Sequence, residues 1–219
     1  AGVDDATGLP NRVVLVDRIR QGLERSRRLH TQLAVLVIDI DTLQVIRNTH
    51  GDSAAEKLLK IASARLRKTL RSTDTIAVPH ASDLGVSVSR IGGSEFAVVL
   101  TDITLPESTT WVVQRILTEM QHTVALAGDE VLLDSRIGVS LYPSDGDSPE
   151  VLLAHANTAL REAKADQGRN ACLYYGQEMN SRSEKQLRME GQLHRAIARG
   201  EVFLEYQPLV DMRSGGNHG

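Results

Sequence analysis

Two aspartates, Asp39 and Asp41, follow the short apolar run LAVLVI, where a buried strand is expected to end. Mg²⁺ prefers such fixed carboxylate oxygens and keeps several of its waters, so one or two carboxylates suffice for an ion that bridges phosphate oxygens. The carboxyl end of a strand is also where sheets covered by helices commonly bind ligands. A plainer interpretation is that Asp41 caps the following turn and Asp39 only ends the strand.

A further acid, Glu95, lies beside a pair of glycines in the stretch SRIGGSEFAVVL. Gly92 and Gly93 can adopt positive φ angles, so they could close a hairpin and leave room for a ligand against the backbone. Glu95 would then reach whatever Asp39 binds, provided that the two strands are neighbours. The plainer interpretation is a two-glycine turn with an exposed acid.

Two basic residues, Lys164 and Arg169, flank a glycine in the stretch ALREAKADQGRN. They could bind phosphates, or they could be charges that the helix dipole favours at the end of a helix. Each of the three patterns is weak by itself, and only their combination is informative.

These residues must be positioned by a mixture of helices and strands. The hydrophobic spacing predicts the order αβααββαβαβ, with hairpin and crossover connections mixed. We therefore predict an α/β (α+β) fold in which a central mixed β-sheet is flanked by helices. The predicted helices include Arg12–His30, Asp52–Leu70, Glu107–Thr123 and Pro149–Ala165; the predicted strands are Leu33–Ile38, Val86–Ile91, Phe96–Leu100, one or two within Val131–Leu141, and Ala171–Tyr175.

The composition excludes several classes of protein. The chain has 219 residues, 41% of them hydrophobic, and its formal net charge is −3. Because the charges are interspersed and nearly balanced, we expect no nucleic-acid partner. The single cysteine suits a reducing compartment, and the seven scattered histidines form no zinc-binding pattern. No apolar run reaches membrane-spanning length and no signal peptide is recognisable, so we expect a cytoplasmic fragment of a larger protein that makes no membrane contact itself.

The character of the chain changes after residue 175. Residues 176–200 are polar with sparse apolar positions, which predicts a helical connector. Residues 201–219 contain the run VFLEYQPLV, which predicts a fresh strand at the start of a second, truncated domain. The first domain accordingly spans residues 1–175.

Taken together, the segments resemble the GGDEF domain family, the bacterial diguanylate cyclases that make cyclic di-GMP from two GTP molecules. The resemblance runs from about residue 4 to residue 175 and implies the nucleotidyl-cyclase-like fold of that family. Residues 204–211 also resemble the opening of an EAL phosphodiesterase domain, LxYQPxVD, although the glutamate of the EAL motif would lie beyond Gly219. The motifs that carry the GGDEF resemblance are, in order, DDATGLPNR, DIDTLQVIRNTHGDSAAE, RIGGSEF, RIGVSLYP and ALREAKADQGRN.

The resemblance implies a reaction in which two domains, each with a GTP, meet face to face. Each 3′-hydroxyl would attack the α-phosphate of the other GTP, with Mg²⁺ at the phosphates. Asp39 and Glu95 match the metal-binding acids, and the glycine pair matches the nucleotide loop. Lys164 and Arg169 match the phosphate-binding pair, although three residues separate Lys164 from Gly168 where the family usually has two.

Several positions depart from the family pattern. Ser94 and Glu95 occupy the catalytic signature, but Ser94 replaces an acid that would bind metal and help to activate the hydroxyl. A neutral hydroxyl is a poor ligand for a hard cation and no base at neutral pH. Arg47 replaces the asparagine that would read the guanine edge, and Glu56 replaces a guanine-binding aspartate that is one methylene shorter. The other departures are Gln44 for a phosphate-side lysine, Asp52 for a histidine and Arg136 for a serine.

A site for product inhibition is also implied by the resemblance. In the family this site begins with RxxD, and Arg71 and Asp74 fit that pattern. Arg115 falls near the place of the second arginine, so that guanine and phosphate could be bound by bidentate hydrogen bonds. Residues 78–89 look like an insertion that could displace or cover this site. A surface ion pair at a helix end explains the same residues.

Three functions follow from these observations. Because the metal, base and purine positions are altered together, we expect a GGDEF domain that has lost cyclase activity. It would serve as a regulatory or dimerising module, with GTP as a candidate ligand, in a protein with an EAL domain downstream. The alternative is an active, atypical diguanylate cyclase that relies on Asp39 and Glu95. The third is a receptor that binds cyclic di-GMP through Arg71 and Asp74 without turnover.

Overall fold

The computed structural model of the protein describes residues 1–71, 84–166 and 171–176. The predicted connector and the predicted start of a second domain therefore lie outside the described residues, except for Gly176. The elements in chain order are α1 (Arg12–Leu29), β1 (Gln32–Ile40), α2 (Asp41–His50), α3 (Asp52–Arg71), β2 (Gly85–Gly92), β3 (Glu95–Ile103), α4 (Glu107–Met120), β4 (Val124–Leu126), β5 (Asp129–Val131), β6 (Ser135–Tyr142), α5 (Pro149–Ala165) and β7 (Cys172–Tyr174).

A five-stranded sheet in the order β2-β3-β1-β6-β7 forms the centre of the fold. Strand β1 pairs antiparallel with β3 and with β6, while β6 and β7 run parallel. The sheet is therefore mixed, as the sequence predicted. Within the described part of the chain, no helix has the length and apolar character needed to cross a bilayer.

Helices cover both faces of the sheet and make β1 its most enclosed strand. Helices α2, α3 and α4 pack on one face, against Ala34, Leu36 and Ile38 of β1. Helices α1 and α5 pack on the other face, against Leu33, Val35 and Val37. Side chains of a strand alternate between the faces. Asp39 therefore lies on the face that α1 and α5 cover.

The structure corrects three details of the sequence prediction. The first strand extends over Gln32–Ile40 and so contains Asp39, whereas the prediction ended it at Ile38, and Asp41 begins α2. Helix α4 ends at Met120 rather than at residue 123. A short hairpin of β4 and β5 then precedes β6, where only strand within residues 131–141 was predicted. Its turn uses positive φ angles at Ala127 and Gly128, and this turn type is typical of two-residue hairpins.

The chain leaves the sheet beside a small polar cluster. The backbone N–H of Tyr175 donates to the carbonyl oxygen of Val139 at 2.8 Å. The ring of Tyr175 stacks on His155 with the centroids 3.8 Å apart. The Nδ1 atom of His155 in turn lies 2.5 Å from the backbone oxygen of Asp145. These contacts fix the chain after β7 against both β6 and α5.

Strand β6 and helix α5 approach each other closely at Gly138. A Cβ atom at this position would lie 2.1 Å from the backbone oxygen of Ala156 and 2.4 Å from the backbone nitrogen of Leu160. A hydrogen bond of 2.6 Å from Ser140 Oγ to the Leu152 oxygen closes the same interface. Glycine is therefore required here for space between two backbones.

We expect Gly138→Ala to lower the free energy of unfolding by about 1–3 kcal/mol, because overpacking against backbone cannot be relieved by rotating a side chain. Urea unfolding followed by circular dichroism measures the change. Ala154→Ser is the matched control, since Ala154 is exposed on α5 and surface changes usually stay within about 0.5 kcal/mol. Equal stability of Gly138→Ala and the parent protein would show that β6 and α5 are packed less closely than described.

Candidate nucleotide site

A buried carboxylate stands at the centre of the predicted site. Asp39 is 2% exposed and lies one residue before the end of β1. It is opposite Glu95 on β3 and opposite Arg136 on β6. Strands β1 and β3 are therefore neighbours, which is the condition under which Glu95 was expected to reach a ligand of Asp39.

Both oxygens of the Asp39 carboxylate have hydrogen-bond donors from this chain. The hydroxyl of Ser94 donates to Oδ1 at 2.5 Å. The ammonium group of Lys164 donates to Oδ2 and lies 3.5 Å from Oδ1 of Asp41. Lys164 sits in the last turn of α5, and this helix packs on the same face of the sheet. Two strands, two helices and the glycine turn thus bring together one cation, one hydroxyl and three acids.

The acids and the lysine of this cluster influence each other's protonation. Burial raises the pKa of Glu95, and the charge of Asp39 raises it further. Burial and Asp39 likewise raise the pKa of Asp41, against the opposing effect of Lys164. The hydrogen bond to Asp39 raises the pKa of Lys164 above its usual value. Lys164 is therefore a firmly protonated cation, and the raised pKa values of Glu95 and Asp41 mean that these two acids hold their negative charge less readily than exposed acids do.

The glycine turn brings Ser94 to the end of β1. Gly92 and Gly93 have φ angles of 149° and 54°, and a Cβ at either position would meet nothing within 4 Å. The turn therefore needs glycine for its backbone angles, and the space beside it is open. The N–H of Ile40 donates to the oxygen of Ser94 at 3.0 Å, which ties the turn to β1.

Arg90 holds this turn through a hydrogen bond to its backbone. The sequence analysis did not identify Arg90 as a site residue. Its guanidinium donates to both carboxylate oxygens of Asp4, at 3.0 and 3.1 Å, and to the backbone oxygen of Gly93 at 2.9 Å. Burial raises the pKa of Asp4, but the hydrogen bonds from Thr7 and Arg90 hold it below its usual value. Asp4 and Arg90 are the first residues of the motifs DDATGLPNR and RIGGSEF. The sequence analysis named both motifs but gave neither residue a role.

The residues predicted to read guanine lie on α2 and α3. Arg47 forms an ion pair with Asp52 at 3.5 Å, and Glu56 is exposed. Gln44 donates to Asn48 at 3.2 Å. Among the described residues, the side chain of Arg47 pairs with the start of α3 and that of Gln44 with its own helix, and neither contacts the Asp39 cluster. Arg136, the remaining departure near the site, pairs with Asp134 at 2.7 Å.

Two predicted residues fall outside the described part of the chain, namely Asp74 of the inhibitory pattern and Arg169 of the phosphate-binding pair. Arg71 is the last residue of α3, and Arg115 belongs to α4.

The cluster around Asp39 does not fit a divalent cation as it stands. Across residues 1–71, 84–166 and 171–176, no group of three or more histidine, cysteine or acidic side chains is arranged to hold a metal ion. A cation at Asp39 would have to displace the Lys164 ammonium group and the Ser94 hydroxyl from the carboxylate oxygens.

The fold and the site define a domain of the nucleotidyl-cyclase type, with a glycine turn and paired acids at the ends of neighbouring strands. The chain belongs to the GGDEF family: the family model described as diguanylate cyclase, GGDEF domain, matches residues 1–171.

Individual relatives agree with this assignment. The chain is 34% identical over 218 residues to the cyclic di-GMP phosphodiesterase NbdA, and 31% identical over 207 residues to the bifunctional diguanylate cyclase/cyclic di-GMP phosphodiesterase MucR, both of Pseudomonas aeruginosa PAO1. These alignments cover 100% and 94% of this chain but only 26% and 28% of the relatives. The chain thus spans about a quarter of the length of these curated relatives. A solved structure of the GGDEF domain of TpbB (YfiN) from P. aeruginosa superimposes with a TM-score of 0.69 at 31% identity, covering 80% of this chain and 94% of that one.

We expect Glu95→Gln to stabilise the protein in a pH-dependent manner. The folded-state pKa of Glu95 is raised from 4.5, so its ionisation weakens folding as the pH rises above that value. Glutamine removes this cost, and the free energy of unfolding should increase at about pH 7 but not at about pH 3, where the carboxyl is protonated in both states. Urea unfolding at both pH values measures the difference.

The control for this measurement is Glu130→Gln, because Glu130 is an exposed acid on β5. It should change stability little at either pH. An equal gain from Glu95→Gln at both pH values would contradict the explanation by ionisation.

Proposed function

We propose that this GGDEF-family domain is a regulatory module of a cyclic di-GMP signalling protein and does not itself condense GTP. The observation that carries the proposal is the engagement of both Asp39 oxygens, one by Ser94 and one by Lys164. In the cyclase reaction, the same carboxylate would have to face a metal ion that neutralises phosphate oxygens. In this chain the Asp39 carboxylate instead faces the ammonium group of Lys164.

The identity of residue 94 strengthens this argument. An acid at this position would add an anionic ligand beside Asp39 and Glu95, and the summed negative charge would favour a divalent cation. Serine adds no charge and uses its hydroxyl hydrogen on Asp39. The ammonium group of Lys164 then balances part of the negative charge of the acids. An external cation is therefore bound less favourably.

The residues predicted to read guanine, Arg47 and Glu56, support the same proposal. Arg47 offers only donors, whereas a residue that reads the guanine edge needs an acceptor as well. Its guanidinium is engaged by Asp52, and Glu56 carries a longer side chain than the family's aspartate. Residual GTP binding would therefore rest on phosphate contacts at the open glycine turn and on Lys164, with Mg²⁺ accompanying the nucleotide only if Lys164 turns away from Asp39.

The setting of the domain is inferred from its relatives. NbdA is named a cyclic di-GMP phosphodiesterase, and MucR is named bifunctional. We extend this to the present chain as a proposal: the domain acts beside a downstream EAL domain, whose predicted opening is residues 204–211, and regulates it by dimerising or by binding GTP. An active, atypical cyclase is the second candidate, because Asp39 and Glu95 remain paired across β1 and β3.

The direct test is turnover. We expect the chain to form no cyclic di-GMP from GTP and Mg²⁺ above the background of a protein-free reaction, measured by chromatography, while the GGDEF domain of TpbB is assayed alongside as a family standard. Product that disappears in Asp39→Asn would overturn the proposal and establish the second candidate.

Metal binding tests the physical reason behind the proposal. We expect Ser94→Asp and Lys164→Gln each to strengthen Mn²⁺ binding by about tenfold or more, because the first adds an anionic ligand and the second removes the internal cation. Electron paramagnetic resonance of free Mn²⁺ measures this. Lys60→Gln, an exposed lysine of α3, is the control. Tight Mn²⁺ binding by the parent protein, unaffected by Lys164→Gln, would refute the role of the lysine.

A further inference from the structure

A cavity of about 530 Å³ lies at the edge of the sheet, away from the Asp39 cluster. It is enclosed by α1 on one side, by α3 on the other and by β2 along its floor. Within the described strands β2 pairs only with β3, so the cavity lies against an open edge. Its volume is in the range of small-molecule sites.

The described lining of the cavity is basic. Arg18 from α1 and Arg67 and Arg71 from α3 line it, and no acid is among the lining residues within the described ranges 1–71 and 84–166. Arg18 and Arg67 are partly buried, while Arg71 is exposed. No hydrogen bond or ion pair connects any of the three guanidinium groups with another residue of the described part of the chain. Other arginines of this domain, such as Arg25 and Arg90, pair with aspartates.

Three guanidinium groups that have no ion-pair partner among the described residues favour an anion in one concave site. Each guanidinium carries a fixed charge and a planar set of donors that matches phosphate or carboxylate oxygens. Keeping three like charges close together is unfavourable in the empty cavity and becomes favourable when an anion lies between them. The shape and charge of the cavity therefore point to a ligand with more than one negative charge.

The rest of the lining suggests how the remainder of such a ligand is held. The floor is partly apolar, with Leu9, Leu70 and Val86. The N–H of Arg90 points out of the sheet and donates to the Pro10 oxygen. Since outward backbone groups alternate along a strand, those of Val86 and Val88 point the same way, towards the cavity. Apolar contacts and backbone donors and acceptors can together hold a flat heterocycle.

A phosphate ester suits the cavity better than an extended acidic peptide. A peptide that adds to an open edge needs several consecutive backbone partners. The contact between Pro10 and Arg90 occupies one end of the β2 edge, and among the described residues of this edge Val86 and Val88 have outward backbone groups beside the cavity. This stretch is too short for strand addition but long enough for the edge of one ring.

We propose that Arg18 and Arg67, with Arg71 at the rim, form a binding site for a phosphate ester of about nucleotide size. The site differs from the inhibitory pattern predicted from the sequence. It shares Arg71 with that pattern, but Arg115 does not line the cavity, and Arg18 and Arg67 belong to neither predicted site. The proposal does not depend on whether the Asp39 cluster binds GTP.

Calorimetry with pyrophosphate, GDP and cyclic di-GMP tests the proposal on the whole chain. We expect at least one of these probes to bind, and the double variant Arg18→Gln, Arg67→Gln to weaken that binding by about tenfold or more, because charge-assisted bidentate bonds are lost. Arg67→Lys should retain part of the affinity, since the charge stays. Arg20→Gln is the matched control: Arg20 is an exposed arginine on α1 outside the cavity, paired with Asp17. It should change the affinity less than twofold.

Each other outcome overturns the proposal. Absence of binding by all three probes at millimolar concentration excludes the site. Binding that is lost in Arg71→Gln but unchanged in the double variant assigns the ligand to the inhibitory pattern instead. Binding that is lost only in Asp39→Ala assigns it to the signature site. Circular dichroism of each variant verifies that a lost signal does not reflect a lost fold.

Discussion

The structure of this domain depends on one buried charge. Asp39 is almost fully enclosed because β1 is covered on both faces and paired on both edges. A carboxylate in such a place needs a countercharge and hydrogen-bond donors, since an unpaired buried charge would cost several kcal/mol. Here Lys164 and Ser94 meet this need from within the chain, so the fold keeps its central acid without depending on a ligand.

Several contacts around this acid hold the glycine turn in place. Arg90 links the N-terminal segment to the glycine turn through Asp4 and Gly93, and the turn is tied to β1 through Ile40. These contacts hold backbone in place and do not depend on which side chain residue 94 carries. A change from acid to serine can therefore alter the reactivity of the site while its geometry stays the same.

Much of this could be predicted from the sequence, for identifiable reasons. The continuous apolar run before Asp39 indicates a buried strand, and apolar residues recur at helical spacing in α1, α3 and α5. The mixed sheet and its covering helices were therefore predicted correctly. The hairpin of β4 and β5 was missed because its strands have three residues each, too few to show a period. The contact of Lys164 with Asp39 joins residues 125 positions apart, and the sequence indicated a phosphate ligand for that lysine rather than an acid. The Arg18 cavity was missed because α1 and α3 each contribute arginines that look like ordinary surface charges.

The parallel pairing of β6 with β7 has a mechanical consequence. Three register pairs join these strands, from Ile137 with Cys172 to Val139 with Tyr174, and Tyr175 adds a backbone bond and a ring stack just beyond them. A pull at Gly176 along the strand direction loads this ladder in shear, so its bonds share the tension and must yield together rather than open one after another. The strand that receives the load begins at Ser135 and Arg136, beside Asp39. Tension applied at Gly176 would therefore be transmitted along β6 to the cluster around Asp39 before the domain unfolds.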